Sequence, residues 1–248
     1  MAKFTDEELL LRKIERKIRK AMIDFSLIED GDKLLVGLSG GKDSLALIDL
    51  LGRRKKIHKP SFQVVAAHIS MTNIGYVSDL EYLRNHCLKN DIEFIHFETS
   101  FDMATDNRKS PCFLCSWTRR KTLFEIAKKY NCNKIVLGHH QDDILQTLLM
   151  NMTFQGAFGT MPPKLKMDKF DMTIIRPLCL VPESDLIELS LIKGYIKQKK
   201  ACPYETSSSR PEMKNVIKML EQMNEHARFN LWSSMTNIQS GYLPNLNH

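Results

Sequence analysis

Lys33-Leu34-Leu35-Val36-Gly37-Leu38-Ser39-Gly40-Gly41-Lys42-Asp43-Ser44 is the stretch that decides the fold. Its first half is a short apolar run, the pattern of a parallel strand buried on both faces. Its second half turns on two glycines and opens an apolar helical stretch, Leu45 to Leu51. Strand, glycine turn and helix make the first βα unit. The alternation continues outward. Residues 62–69, 93–97, 134–138 and 173–176 read as further strands. Residues 79–89, 112–130, 142–154, 183–192 and 211–227 read as helices. Leu10, Ile14, Ile18 and Met22 recur at helical spacing in front of the first strand. Alternating strands and helices predict an α/β fold: a doubly wound, mainly parallel five-stranded, Rossmann-like sheet. A basic amphipathic helix leads into it over residues 1–30. The sheet domain spans 31–180, and a helical extension covers 181–248, where strand signals stop.

Ligands of open α/β sheets sit beyond the carboxyl ends of the strands. The loop from Ser39 to Ser44 lies at such an end. Gly40 and Gly41 let the backbone approach an anion, and the helix start supplies amide donors and partial positive charge. Lys42 adds a full charge, and Ser39 and Ser44 add hydroxyls. This is a phosphate cradle. It is not a Walker loop, because three residues rather than four separate Gly37 from Gly41, and Asp43 follows the lysine. An aspartate beside a phosphate calls for a bridging cation, so Asp43 points to Mg²⁺. The plainer alternative is a glycine turn with Ser39 as helix cap.

A second acidic site closes the strand at residues 134–138: Gly138-His139-His140-Gln141-Asp142-Asp143. Asp142 is read as sharing the cation or orienting reacting groups, against a bland role at the helix start. His139 and His140 suit either nucleotide contact or the core.

Six cysteines in a chain with no sign of secretion are expected to stay reduced. Cys87, Cys132 and Cys179 read as packing residues. Cys112 and Cys115 form a Cys-x-x-Cys at a helix start, where the helix end, Arg119 and Arg120 favour thiolate. Cys202, in Ala201-Cys202-Pro203-Tyr204, lies in a loop suited to a third ligand. A redox pair, a structural zinc and a [4Fe-4S] cluster all remain open on these residues. A cluster held by three cysteines leaves one iron for an external ligand.

The chain has 248 residues, 43% of them hydrophobic, and a net charge of +7. It contains no apolar run of the roughly 20 residues that cross a bilayer. The acidic start, Thr5-Asp6-Glu7-Glu8, is unlike a signal peptide, so a cytoplasmic protein with no membrane partner is expected. Basic residues gather at 12–20, at 53–59, at Arg119-Arg120-Lys121 and at Lys193, Lys197, Lys199 and Lys200. Such clusters track phosphates or form solvated faces.

Ser39 to Ser44 matches the SGGxDS pyrophosphate loop of the ATP-pyrophosphatase superfamily. Leu137-Gly138-His139-His140-Gln141-Asp142-Asp143-Ile144-Leu145-Gln146-Thr147-Leu148, Met161-Pro162-Pro163-Lys164-Leu165 and Ile175-Arg176-Pro177-Leu178 narrow this further. With Cys112, Cys115 and Arg119-Arg120, the stretch from about residue 12 to 235 resembles the tRNA 2-thiocytidine synthetases. The resemblance implies an adenine nucleotide alpha hydrolase-like fold and an enzyme that converts ATP to AMP and pyrophosphate. It implies adenylation of O2 of cytidine 32 in tRNA, then sulfur transfer from a [4Fe-4S] cluster on Cys112, Cys115 and Cys202. Catalysis would fall to Asp43, Asp142 and Lys42. Nucleotide binding would fall to Ser39, Gly40, Gly41, Lys42, Asp43, Ser44, Gly138 and His139. Arg16, Arg19, Arg119 and Arg120 would meet tRNA, a cysteine desulfurase would supply sulfur, and a homodimer is allowed. One departure stands out. Relatives often carry a second Cys-x-x-Cys near the C-terminus, whereas Cys202-Pro203-Tyr204-Glu205 keeps only its first cysteine. The rivals are another pyrophosphate-loop tRNA synthetase, for other thiolation or lysidine formation, and a non-catalytic zinc-bound RNA-binding module.

Overall fold

The computed structural model describes residues 4–74, 78–102, 110–168, 170–196, 198 and 209–244. The elements follow in chain order: α1 (Asp6–Asp24), β1 (Lys33–Gly37), α2 (Lys42–Arg54), β2 (Gln63–Met71), α3 (Leu80–Lys89), β3 (Glu93–Thr99), α4 (Pro111–Lys129), β4 (Lys134–Val136), α5 (Gln141–Gln155), β5 (Lys164–Met167), β6 (Met172–Ile175), α6 (Glu183–Ile192), α7 (Arg210–Met223) and α8 (Ala227–Ser234). The chain forms two compact units. One takes residues 1–141 and 162–206, the other 142–161 and 207–248. This division departs from the consecutive segments read from the sequence: α6 belongs with the sheet, while most of α5 groups with the C-terminal helices.

The first unit is built on a six-stranded sheet in the order β3-β2-β1-β4-β6-β5. All neighbours are parallel except β5 and β6. The expected five strands are therefore corrected to six. The added strand is β5, whose alternation of Lys164 and Lys166 with Leu165 and Met167 is the period-2 pattern of an edge strand. Two prolines in front of it disguise that pattern, and antiparallel pairing with β6 through a tight turn supplies the stability that its propensity lacks.

Right-handed crossovers place α2 and α3 on one face of the sheet and α4 on the other. Against α4, Leu35, Val65, Ala67, Ile69, Ile95, Ile135 and Ile174 pack with Phe124, Ile126 and Ala127. The alternate residues Leu34, Val36, Val64 and Ala66 are also buried. Burial on both faces explains why β1 and β2 read as continuous apolar runs. Helix α1 is tied to α6 through Lys13 and Lys17, which donate to Asp185 at 2.8 and 3.1 Å.

At the amino ends of the strands lies a buried ion cluster that the sequence reading passed over as a simple boundary. Lys134 Nζ lies 2.7 Å from Asp32 Oδ2 and 3.1 Å from Glu29 Oε2, and it donates to the Leu27 carbonyl. Asn133 Nδ2 donates to the other Asp32 oxygen. Lys134 and Asp32 are each 4% exposed, so neither charge has water to fall back on. Lys134→Met leaves Asp32 uncompensated. A loss of about 3–5 kcal/mol in unfolding free energy is expected, read from urea denaturation curves.

In the second unit α7 and α8 pack on each other. The single helix expected over 211–227 is instead two, interrupted at Asn224 to His226. Met213 and Ile217, one turn apart, are the buried residues of α7. The segment after α5 folds back on it, with Thr160 Oγ1 donating to the Ile144 carbonyl and Asn151 Nδ2 to that of Gly159. No helix among the described residues is long and apolar enough to cross a membrane.

Candidate active site

The sheet order reverses between β1 and β4, the place where an open α/β sheet leaves a crevice. The residues that follow both strands form the site. After β1 the ladder runs one bond further, with Leu38 N–H donating to the Ala67 carbonyl. The chain then turns at Gly40, whose φ of +78° is left-handed. A Cβ there would also come within 2.6 Å of Gln198 Cγ, so both backbone and space call for glycine.

Gly41 is the N-cap of α2, and no side chain caps it. The plainer alternative, with Ser39 as helix cap, is not what the structure shows. The Ser39 hydroxyl instead accepts from Gly41 N–H at 3.3 Å and lies 3.2 Å from Ser44 Oγ. Ser44 Oγ donates to the Gly41 carbonyl. The hydroxyls thus brace the turn, and among the described residues no side-chain acceptor meets the first-turn amides of α2, as suits an anion site.

Lys42 Nζ lies 3.1 Å from Asp43 Oδ1 and donates at 3.2 Å to Oδ2 and at 3.0 Å to Glu183 Oε1. Burial works against the ammonium charge, but the two carboxylates outweigh it and raise the lysine's pKa above the usual value. Asp43 Oδ1 is buried and, despite its nearness to Lys42, receives no hydrogen bond. A buried carboxylate oxygen that meets an ammonium but accepts no hydrogen bond, at the mouth of a phosphate cradle, fits a divalent cation.

From β4 the chain reaches Gly138, where a Cβ would stand 3.3 Å from the Asp43 carbonyl carbon and 3.4 Å from Ser44 N. Gly138 therefore serves by close approach to the loop. His139 Nδ1 accepts from Arg176 Nε at 3.3 Å, and Arg176 is held in turn by the Pro162 carbonyl. His140 is buried.

Cys112 and Cys115 occupy the first turns of α4, capped by Ser110, and both are half-buried. Three residues apart on a helix, they share one side. Cys115 packs against the apolar cluster of Met71, Ile74, Phe101 and Leu114 at the carboxyl end of β2. The pair therefore opens from the same end of the sheet as the glycine loop. Cys202 lies outside the described residues. The remaining cysteines behave as fillers. Burial pushes the Cys87 and Cys179 thiols up to about 12 and raises that of Cys132.

Asp142 belongs to the second unit, where its Oδ1 accepts from Arg228 Nη1 at 2.8 Å. Arg228 is held from behind by Glu221 at 2.7 Å. Burial opposes its charge, yet Glu221 and Asp142 raise its pKa further. Asp143 pairs with Arg210 at 3.3 Å. Arg16 and Arg19 are exposed on α1, Arg119 is half-buried on α4, and Arg120 is exposed. The sequence reading missed Glu183, Gln198 and Arg228. Only Glu183 left a signal, as the first acid after Pro182 at a helix start.

A family model described as the PP-loop domain matches residues 10–234. A tRNA-cytidine(32) 2-sulfurtransferase from Geotalea uraniireducens is 33% identical over 96% of this chain and 96% of its own. The chain belongs to this sulfurtransferase family. A second member, from Syntrophotalea carbinolica, is 34% identical over 96% of this chain and 93% of its own. Among solved structures, the U34-tRNA thiolase NcsA from Methanococcus maripaludis with its [4Fe-4S] cluster superposes with a TM-score of 0.76 and 26% identity. That match covers 96% of this chain and 82% of the thiolase. The Campylobacter jejuni NH3-dependent NAD synthetase is similar to this chain in fold alone, at 17% identity and a TM-score of 0.50.

Proposed function

We propose that this chain is an ATP-dependent tRNA sulfurtransferase that converts cytidine 32 to 2-thiocytidine. The observation that carries the reading is the opening of an uncapped, lysine-bearing glycine loop and a cysteine pair from one end of one sheet. ATP activation and sulfur delivery need that neighbourhood. Full-length similarity to the tRNA-cytidine(32) 2-sulfurtransferases supports the substrate.

The chemistry follows from the groups present. A pyrimidine carbonyl oxygen leaves poorly until it becomes a phosphate ester. The first-turn amides of α2 and the Lys42 ammonium bind the phosphates and draw charge away from the bond that breaks, which favours attack by O2 on the α-phosphorus and departure of pyrophosphate. Asp43 would hold Mg²⁺, which would offset the phosphate charge. Asp142, fixed by Arg228, presents a carboxylate to orient the reacting groups. Cys112, Cys115 and Cys202 would hold the [4Fe-4S] cluster, which would supply the sulfur that replaces the activated oxygen, with AMP as the leaving group. Arg16, Arg19, Arg119 and Arg120 meet the tRNA backbone, and an unpaired anticodon-loop base enters the site at small unstacking cost. The enzyme works in the cytoplasm, and a cysteine desulfurase renews the sulfur.

Nucleoside analysis of digested tRNA tests the proposal. Deletion of the gene is expected to remove 2-thiocytidine, and re-expression to restore it. Unchanged 2-thiocytidine in the deletion strain overturns it.

A further inference from the structure

Lys42 is the cation of the glycine loop, yet two carboxylates already hold it. Glu183 Oε1 stands 3.0 Å and Asp43 Oδ1 3.1 Å from its Nζ. An ammonium held by two carboxylates is already compensated, so its charge is not free for an incoming polyphosphate. Lys42 has to be shared with the incoming phosphates or surrendered to them. The two carboxylates differ in how they can release it. Asp43 is the next residue in the chain and is expected to gain a divalent cation when nucleotide binds. Glu183 comes from another element. It opens α6 next to an N-cap, Pro182, that supplies no side-chain hydrogen bond. A carboxylate in the first turn of a helix is favoured by the helix dipole. Glu183 can therefore lose Lys42 without becoming an uncompensated charge.

We propose that Glu183 is a positioning residue that acts as a counter-ion latch: it holds Lys42 in the nucleotide-free loop, yields it to the phosphates of ATP, and reclaims it as pyrophosphate leaves. The latch rests on the ATP reading of the loop. Its consequence is competition. Glu183 and the phosphates contend for one ammonium, so Glu183 weakens the binding of the product and speeds its departure. A carboxylate that merely aimed Lys42 at the phosphates would do the opposite, and its loss would weaken binding.

Glu183→Gln keeps the size of the side chain and removes its charge. Titration calorimetry of the full chain with magnesium pyrophosphate is expected to show about tenfold tighter binding in this variant, about 1.4 kcal/mol. Inhibition of turnover by pyrophosphate should strengthen, and kcat should fall while KM for ATP falls too. Glu183→Asp, which keeps the charge, should restore near wild-type affinity, and Glu183→Ala should tighten binding as Glu183→Gln does. A merely structural role would lower the melting temperature and weaken binding together. A wild-type chain that binds pyrophosphate, with equal or weaker binding in both neutral variants, overturns the latch and leaves the ATP reading intact. A wild-type chain that binds neither ATP nor pyrophosphate overturns both.

Discussion

Cys112→Ala is expected to abolish 2-thiocytidine formation while ATP binding stays at the wild-type level. The two effects separate because the groups sit on different elements. Cys112 lies on the first turn of α4, whereas the phosphate cradle is made by the end of β1 and the start of α2. The substitution disturbs little else. Cys112 is half-buried, and Ser110, not the cysteine, caps α4 by accepting from Phe113 N–H at 3.3 Å. A thiol lost from a three-cysteine site leaves two ligands, too few to hold a cluster with one open iron. Three measurements on anaerobically purified protein check this: thiolation of tRNA transcripts, iron and labile sulfide content, and ATP affinity by calorimetry. Loss of iron with retained ATP affinity is the expected pair. Loss of ATP affinity would instead make the cysteine pair a structural clip. Stoichiometric zinc without sulfide in the wild-type protein would favour the non-catalytic RNA-binding rival.

The parts of this protein that were legible in its sequence are those set by local pattern. β1 and β2 are buried on both faces, so their apolar runs announce a parallel sheet, and the loop is a contiguous hexapeptide whose chemistry can be read residue by residue. The fillers were legible too: Cys87 lies on the apolar side of α3 with Leu83, and both are fully buried. What escaped reading depends on residues far apart in the chain. Glu183 meets Lys42 across 141 positions, and Arg228 meets Asp142 across 86. Each is one more charged residue near a helix start or on a helix face, and only folding shows which charge it answers. The Asp32–Lys134 pair escaped for the same reason. A buried lysine at a strand start looks like any surface lysine until its partner is known. β5 was missed because Pro162 and Pro163 mask an alternation of only four residues.

Asp43→Ala is the counterpart of the cysteine substitution and is expected to stop adenylation while the iron-sulfur chemistry survives. Asp43 is the second residue of α2, and its Oδ1 is the buried oxygen that receives no hydrogen bond. That oxygen has the Lys42 ammonium 3.1 Å away, and a divalent cation arriving with the phosphates can take over this compensation. Removing Asp43 deprives the phosphates of the divalent ion that offsets their charge in the transition state. A Lewis-acid contribution of several kcal/mol is at stake, a rate loss on the order of 10³-fold. The fold should tolerate the change, because Lys42 retains Glu183 at 3.0 Å and the turn retains its serine bracing. Release of pyrophosphate from ATP in the presence of tRNA should fall by that factor, with visible absorbance and iron content unchanged. Asp43→Asn separates charge from shape: it keeps the side-chain outline but binds Mg²⁺ weakly, so it should lose nearly as much as alanine and regain part of its rate at high Mg²⁺. Retained turnover in both variants would remove Asp43 from the reaction and shift the cation to another carboxylate.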